Sequence, residues 1–135
     1  MKGFIRSRNG RIPEGVYYRA LKAVAEVVEG NLNDLLWDLA IYRYVMQRVI
    51  DVLWELDKVP NKSQIHQMFY SILRSYGFRA HVSRNIYEYA LALVKTARES
   101  DGGKPVLRKF SARLDYQDAR VDLDKDVVKV ILRNQ

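Results

Sequence analysis

Between Asn33 and Lys58 the apolar residues Leu35, Leu39, Tyr42, Met46, Val49, Leu53 and Leu56 recur at alternating steps of four and three. On a helix that spacing keeps all of them on one stripe. Leu36, Ala40, Val45, Ile50 and Val52 widen the stripe beyond the narrow seam of a coiled coil, to the width a bundle core needs. Asp34, Asp38, Arg48, Asp51 and Glu55 fall on the far side, where they can stay solvated. The spacing therefore predicts one long helix over 33–58, capped by Asn33. Asp34 and Asp38 then lie near the positive end of its dipole, Lys58 near the negative end, and Pro60 just beyond its stop. The rest of the chain has to pack on this rod or be carried by it.

The flanking segments read as shorter helices. Pro13 suits a first helical position, Val16, Tyr17, Ala20, Leu21, Val24 and Val28 give an apolar face, and Gly30 closes it. This helix and the long one are expected as antiparallel neighbours. Ser63 is read as the cap of a helix whose face is Ile65, Met68, Phe69, Ile72, Leu73 and Tyr76, stopped by Gly77. A last helix is expected after Ser83, with Ile86, Tyr89, Ala90, Leu93, Val94 and Ala97 buried and Asp101-Gly102-Gly103 breaking it.

After Pro105 the period changes to two. Phe110, Ala112, Leu114 and Tyr116 are expected to face a core, and Lys109, Ser111, Arg113 and Asp115 to face away. Ala119, Val121 and Leu123 continue the alternation, Asp124-Lys125-Asp126 makes a turn, and Val128, Val130 and Leu132 form a third strand. The expected fold is α+β, with about four helices, one of them long, packed with a small antiparallel β-meander or partial barrel. It is read as a single domain over 1–135, helical over about 12–99 and β over about 105–133, with a further strand near 2–7. An apolar sheet face of this size needs a cover from helices or another chain.

Composition narrows the function classes. The 135 residues suffice for one domain, and 48% hydrophobic with 29% charged residues is the balance of a folded chain. The absence of cysteine excludes disulfides and zinc–thiolate sites. No apolar run approaches the roughly 20 residues of a spanning helix, and the N-terminus lacks the apolar core of a signal peptide. The expectation is a cytoplasmic protein with no membrane partner.

No catalytic set stands out, so the chain is read as not an enzyme, with no cofactor and no metal. His66 and His81 have no carboxylate at ligand spacing on their own segment, and are read as an exposed helix residue and a residue of a basic linker. Asp115, Asp118, Asp122, Asp124 and Asp126 are dense enough to suggest a hard cation. Their near-alternate spacing fits a solvated sheet face with turn acids better. Gly102-Gly103-Lys104 lies between a helix and a strand, the reverse of the order a phosphate loop needs.

The net charge of +7 is concentrated on particular segments. Residues 1–11 carry Lys2, Arg6, Arg8 and Arg11 with no acid, and 59–83 carry Lys62, Arg74 and Arg79, again with none. Lys104, Arg108, Lys109 and Arg113 cluster over 104–113. Basic residues interleave with aromatics at Arg74, Tyr76, Phe78, Arg79 and His81, and at Lys109, Phe110, Arg113 and Tyr116. Arginine grips phosphate bidentately and an exposed aromatic stacks on an unpaired base, so this pattern points to nucleic acid. The aromatics also have a plain reading as core, which the alternation favours for Phe110.

The run Lys104-Pro-Val-Leu-Arg-Lys-Phe-Ser-Ala-Arg-Leu-Asp-Tyr116, followed by Ala119-Arg-Val-Asp-Leu123, resembles the N-terminal part of the OrfB-type (TnpB) transposon proteins. Those are RNA-guided nucleases whose N-terminal region combines a small wedge barrel with a helical recognition insertion. The resemblance implies a non-catalytic nucleic-acid-binding module, because the nuclease domain and its cysteine insert lie further along such proteins. Arg108, Lys109, Arg113 and Arg120 fall on the matched stretch, and Lys62, Arg74, Arg79 and Arg84 on the helical insertion. With Arg6, Arg8, Arg11 and Lys104 these are the candidate nucleic-acid contacts, to RNA or DNA. A truncated element, or the N-terminal product of a split gene whose nuclease is a separate chain, is what the resemblance implies. The competing expectation is a structural protein–protein interaction module, self-associating as a homodimer through an uncovered edge at Val127–Arg133.

Overall fold

The computed structural model describes residues 24–114 and 118–133. The chain divides into two compact units, Met1–Gly30 and Asn31–Gln135. In the first, residues 24–30 form no regular element, and Val24, Val27 and Val28 are exposed. The helix expected to run through Val28 therefore does not include these residues. β-Branched side chains favour helix weakly. Gly30, at φ +92°, takes a left-handed turn that other residues resist. The rest of that helix and the strand expected near 2–7 lie outside the described residues.

The second unit holds three helices and one hairpin, so the coarse α+β class stands. The order is α1 (Leu32–Trp54), α2 (Lys62–Ser75), α3 (Ala80–Glu99), β1 (Ala119–Asp122) and β2 (Val127–Val130). The long helix is α1, but Asn31 caps it instead of Asn33, accepting the Asn33 N–H at 2.8 Å. Both asparagines have the same capping chemistry, and Asn31 is the one with extended backbone. At its other end α1 stops at Trp54, well before Lys58, and has no basic residue in its last turn. A cation from α3 replaces it. The Arg98 guanidinium donates to the carbonyls of Trp54 (2.8 Å), Leu53 (3.3 Å), Leu56 and Asp57 (3.4 Å) and lies over the Trp54 ring. One side chain thus satisfies the helix's last carbonyls and its negative dipole end together.

Asn61, not Ser63, caps α2, in a reciprocal box with Gln64: Asn61 Oδ1 accepts the Gln64 N–H at 2.8 Å and Gln64 Oε1 accepts the Asn61 N–H at 3.0 Å. Asn61→Ala should cost about 1 kcal/mol, read as a lower urea midpoint with an unchanged slope. The third helix begins at Ala80, so Ser83 is a fully buried residue of its first turn and not its cap. The start comes early because Phe78 is held in a bridge to Arg133 and the Arg79 N–H donates to the Leu132 carbonyl at 3.3 Å.

α3 packs against both α1 and α2. The core gathers Met46, Ile50 and Leu53 from α1, Ile65 and Leu73 from α2, Val82, Ile86 and Val94 from α3, with Phe78 and Leu132 closing it. Of the long-helix stripe, Leu35, Leu39 and Leu56 are half-buried and the rest are core, whereas Leu36 and Val52 are exposed. Asp38 and Asp51 do not stand in open solvent. Asp38 pairs with Arg133 at 3.1 Å and Asp51 with Lys104 at 3.1 Å. A hydrogen bond from Gln47, and then Lys104, hold the Asp51 carboxyl below the usual carboxylate range.

Over its described residues the first strand of the expected meander does not form. Residues 105–114 run extended beside α1, and side chains of α1 take the place of a neighbouring strand. Gln47 donates to the Pro105 carbonyl (3.1 Å) and accepts the Leu107 N–H (2.8 Å), Arg43 donates to the Arg108 carbonyl (3.2 Å), and the Tyr42 hydroxyl accepts the Arg113 N–H (3.3 Å). Burial pushes the Tyr42 pKa up. A bend at Lys109 shifts the alternation, so that Leu107, Ala112 and Leu114 are half-buried while Phe110 turns outward. Phe110 is 52% exposed, with the Arg43 guanidinium 4.2 Å from its ring centroid, which corrects its assignment to the core. Tyr116 and Asp115 lie outside the described residues.

The other two strands pair antiparallel, with Ala119 opposite Val130 and Val121 opposite Val128. Asp122 Oδ1 accepts the Asp124 and Lys125 N–H groups and organises the turn. Val121, Val128 and Val130 are exposed, so the alternation marks one face of the hairpin without burying it. Leu132, past the ladder, reaches the core. The edge expected to be free over Val127–Arg133 is occupied at its far end. Leu132 bonds to Arg79, and the Arg133 side chain donates to the Tyr76 carbonyl at 2.8 Å.

Candidate nucleic-acid interface

The start of α3 is where the described cations from distant parts of the sequence converge. The Phe78–Arg133 bridge ties the α2–α3 turn to the hairpin, which brings Arg120 of β1 beside Arg79 and His81. These residues, with Ala80, Asp118, Ala119 and Val121, line an open groove of about 830 Å³. Arg79 occupies the cap position of α3 without a capping hydrogen bond from its own side chain, and no acid stands in the first turn of the helix. The positive dipole end of α3 therefore lies at the same groove as these side chains. Arg84 is exposed one turn further along α3, at the i+3 position from His81. The acid that lines the groove, Asp118, is 3% exposed and pairs with Arg79 Nε at 3.8 Å, which fixes that guanidinium.

The remaining candidates are dispersed. Lys62 is exposed at the start of α2. Arg74 donates to the Phe78 carbonyl at 3.0 Å and serves to hold the turn. Lys104 is paired with Asp51. Arg108 and Lys109 are exposed on the extended segment beside the Arg43–Phe110 stack. Arg113 lies 5.3 Å from the Tyr89 ring centroid at a smaller hollow of about 310 Å³ that also contains Glu88. Arg6, Arg8 and Arg11 lie outside the described residues. The long helix also contributes Arg43, which charge clustering does not single out. Its signal is present in the four-residue spacing of Arg43, Gln47 and Asp51, a polar stripe flanking the core stripe.

The histidines are placed differently from expectation. His66 is half-buried, stacked on Tyr70 at 4.5 Å, with Nδ1 2.7 Å from the Tyr87 hydroxyl. Burial raises the Tyr87 pKa. His81 belongs to the first turn of α3, not to a linker. Among the described residues no three His, Asp or Glu side chains gather as a metal site. No described helix is long and apolar enough to cross a membrane. No protein-family model, curated protein or solved structure matches the chain.

Proposed function

We propose that the chain is a non-catalytic, cytoplasmic nucleic-acid-binding module, of the kind its resemblance to the N-terminal part of OrfB-type transposon proteins implies. The observation that carries this reading is the groove at the start of α3, where Arg79, His81 and Arg120 come together at the positive end of the helix dipole. Such a site suits the phosphate backbone, since a positive helix-dipole end adds to the basic side chains. Arg84 extends the cationic surface along the helix, and Arg108 and Lys109 offer a second phosphate contact beside an aromatic able to stack on a base. Binding through phosphate weakens with salt, because each neutralised phosphate releases counterions. The test is anisotropy with labelled RNA and DNA for the native chain and for Arg84→Gln/Arg120→Gln. The double variant should bind more weakly and lose about two units of the log–log salt slope. A variant with the native slope would remove this groove from the interface.

A further inference from the structure

Three sides of α1 have different neighbours. The core takes Tyr42, Met46, Val49 and Leu53, and the 104–110 segment takes the side bearing Arg43, Gln47 and Asp51. The third side carries Asp34, Trp37, Ile41, Tyr44 and Arg48 at steps of three and four, on one stripe of the helix, with Ile41 half-buried where this stripe borders the core. Trp37 is 68% exposed and Tyr44 57% exposed, an unusual place for two large aromatics on a helix with a well-filled core.

The charges at the two ends of this stripe are opposite, and they are placed symmetrically. Asp34 stands seven residues before Ile41 and Arg48 seven residues after it, and both are exposed. Seven residues are two helical turns, so each charge sits almost in line with Ile41. When two copies of α1 are laid antiparallel about a two-fold axis at Ile41, Asp34 of each meets Arg48 of the other. Trp37 of each meets Tyr44 of the other, and the two Ile41 side chains meet at the axis. A parallel pairing would set Asp34 against Asp34 and Arg48 against Arg48. The face is self-complementary in only one direction, which is what a closed two-fold contact requires. We propose that this face of α1 is a homodimer interface, formed by antiparallel pairing of α1 with a second copy of the chain. It stands independently of the nucleic-acid reading.

The test is the molecular mass in solution of the full chain, by sedimentation equilibrium over a concentration series. The native chain should approach twice its 15.8 kDa. Asp34→Arg alone and Arg48→Asp alone each turn both cross-pairs into like charges, and each should raise the dissociation constant by roughly tenfold to thirtyfold. An equimolar mixture of those two single variants makes every cross-pair opposite again and should recover the native dissociation constant as a heterodimer. Damage to folding could not be repaired by mixing. Trp37→Ala should weaken the dimer by about thirtyfold. A native chain that stays monomeric throughout overturns the proposal. So does a dimer indifferent to the charge reversals, or single variants that remain monomeric when mixed.

Discussion

Phe78→Ala should lower stability by about 3–5 kcal/mol, the largest loss expected from any single truncation of this core. Phe78 is fully buried, its ring meets Tyr42 edge-on at 6.2 Å, and it stands where α2, α3 and the C-terminal segment come together. Removing the ring leaves a cavity between elements that are each held in several places, so collapse around it is limited. The backbone at this point is also tied down. The Phe78 carbonyl accepts from Arg74, and the residue bridges to Arg133. The loss should appear in urea denaturation as a lower midpoint, and in melting as a fall of about 10 °C or more. Because Phe78 holds the α2–α3 turn against the hairpin, the variant should also loosen the groove between Arg79 and Arg120. Phe78→Leu fills most of the volume and should cost less than half as much.

Arg98→Met should cost about 2–3 kcal/mol, although no core volume is lost. The methionine keeps an unbranched apolar stem of similar length but gives up the guanidinium over Trp54 and every hydrogen bond to the carbonyls of Leu53, Trp54, Leu56 and Asp57. The carbonyls of Leu53 and Trp54 end a 23-residue helix that has no cation of its own in its last turn. Amide hydrogen exchange should report the damage as faster opening of the last turn of α1 and of the 55–59 connection, with the middle of α1 little changed. Arg98→Lys keeps the charge but not the planar fork, and should recover less than half of the lost stability. An Arg98→Met chain as stable as the native one would mean that water serves these carbonyls equally well.

The elements legible in the sequence are those set by helical periodicity. The stripe from Leu35 to Leu53 and the face of Ile65, Phe69 and Leu73 are where the core forms, because a long apolar repeat has one way to be buried. Cap positions are displaced by two to four residues. Asn31 and Asn33 compete with the same chemistry, Asn61 wins over Ser63 by adding the Gln64 box, and a tertiary bridge at Phe78 starts α3 before Ser83. The strand after Pro105 fails for a different reason. Period-two alternation describes an extended chain, and an extended chain becomes a strand only with a neighbour. Here Gln47, Arg43 and Tyr42 satisfy its backbone instead, and the bend at Lys109 turns Phe110 out. Charge clustering identifies most of the groove's cations, but not their grouping. Arg79 and Arg120 belong to different parts of the sequence, and the Phe78–Arg133 bridge, the Arg79–Leu132 hydrogen bond and the Arg79–Asp118 pair bring them to one groove. The partners of Arg98 and Arg133 are equally illegible, since a guanidinium that holds backbone carbonyls looks in sequence like any surface cation.

The measurement that bears most directly on the proposed function is binding of the native chain to labelled single-stranded RNA, duplex DNA and an RNA–DNA hybrid across a salt series. Measurable affinity is expected at low salt for at least one of the three, falling steeply as salt rises, with the slope flattened in Arg84→Gln/Arg120→Gln. Absence of binding at low salt by a folded chain, or an affinity that does not change with salt, would contradict a phosphate-binding role.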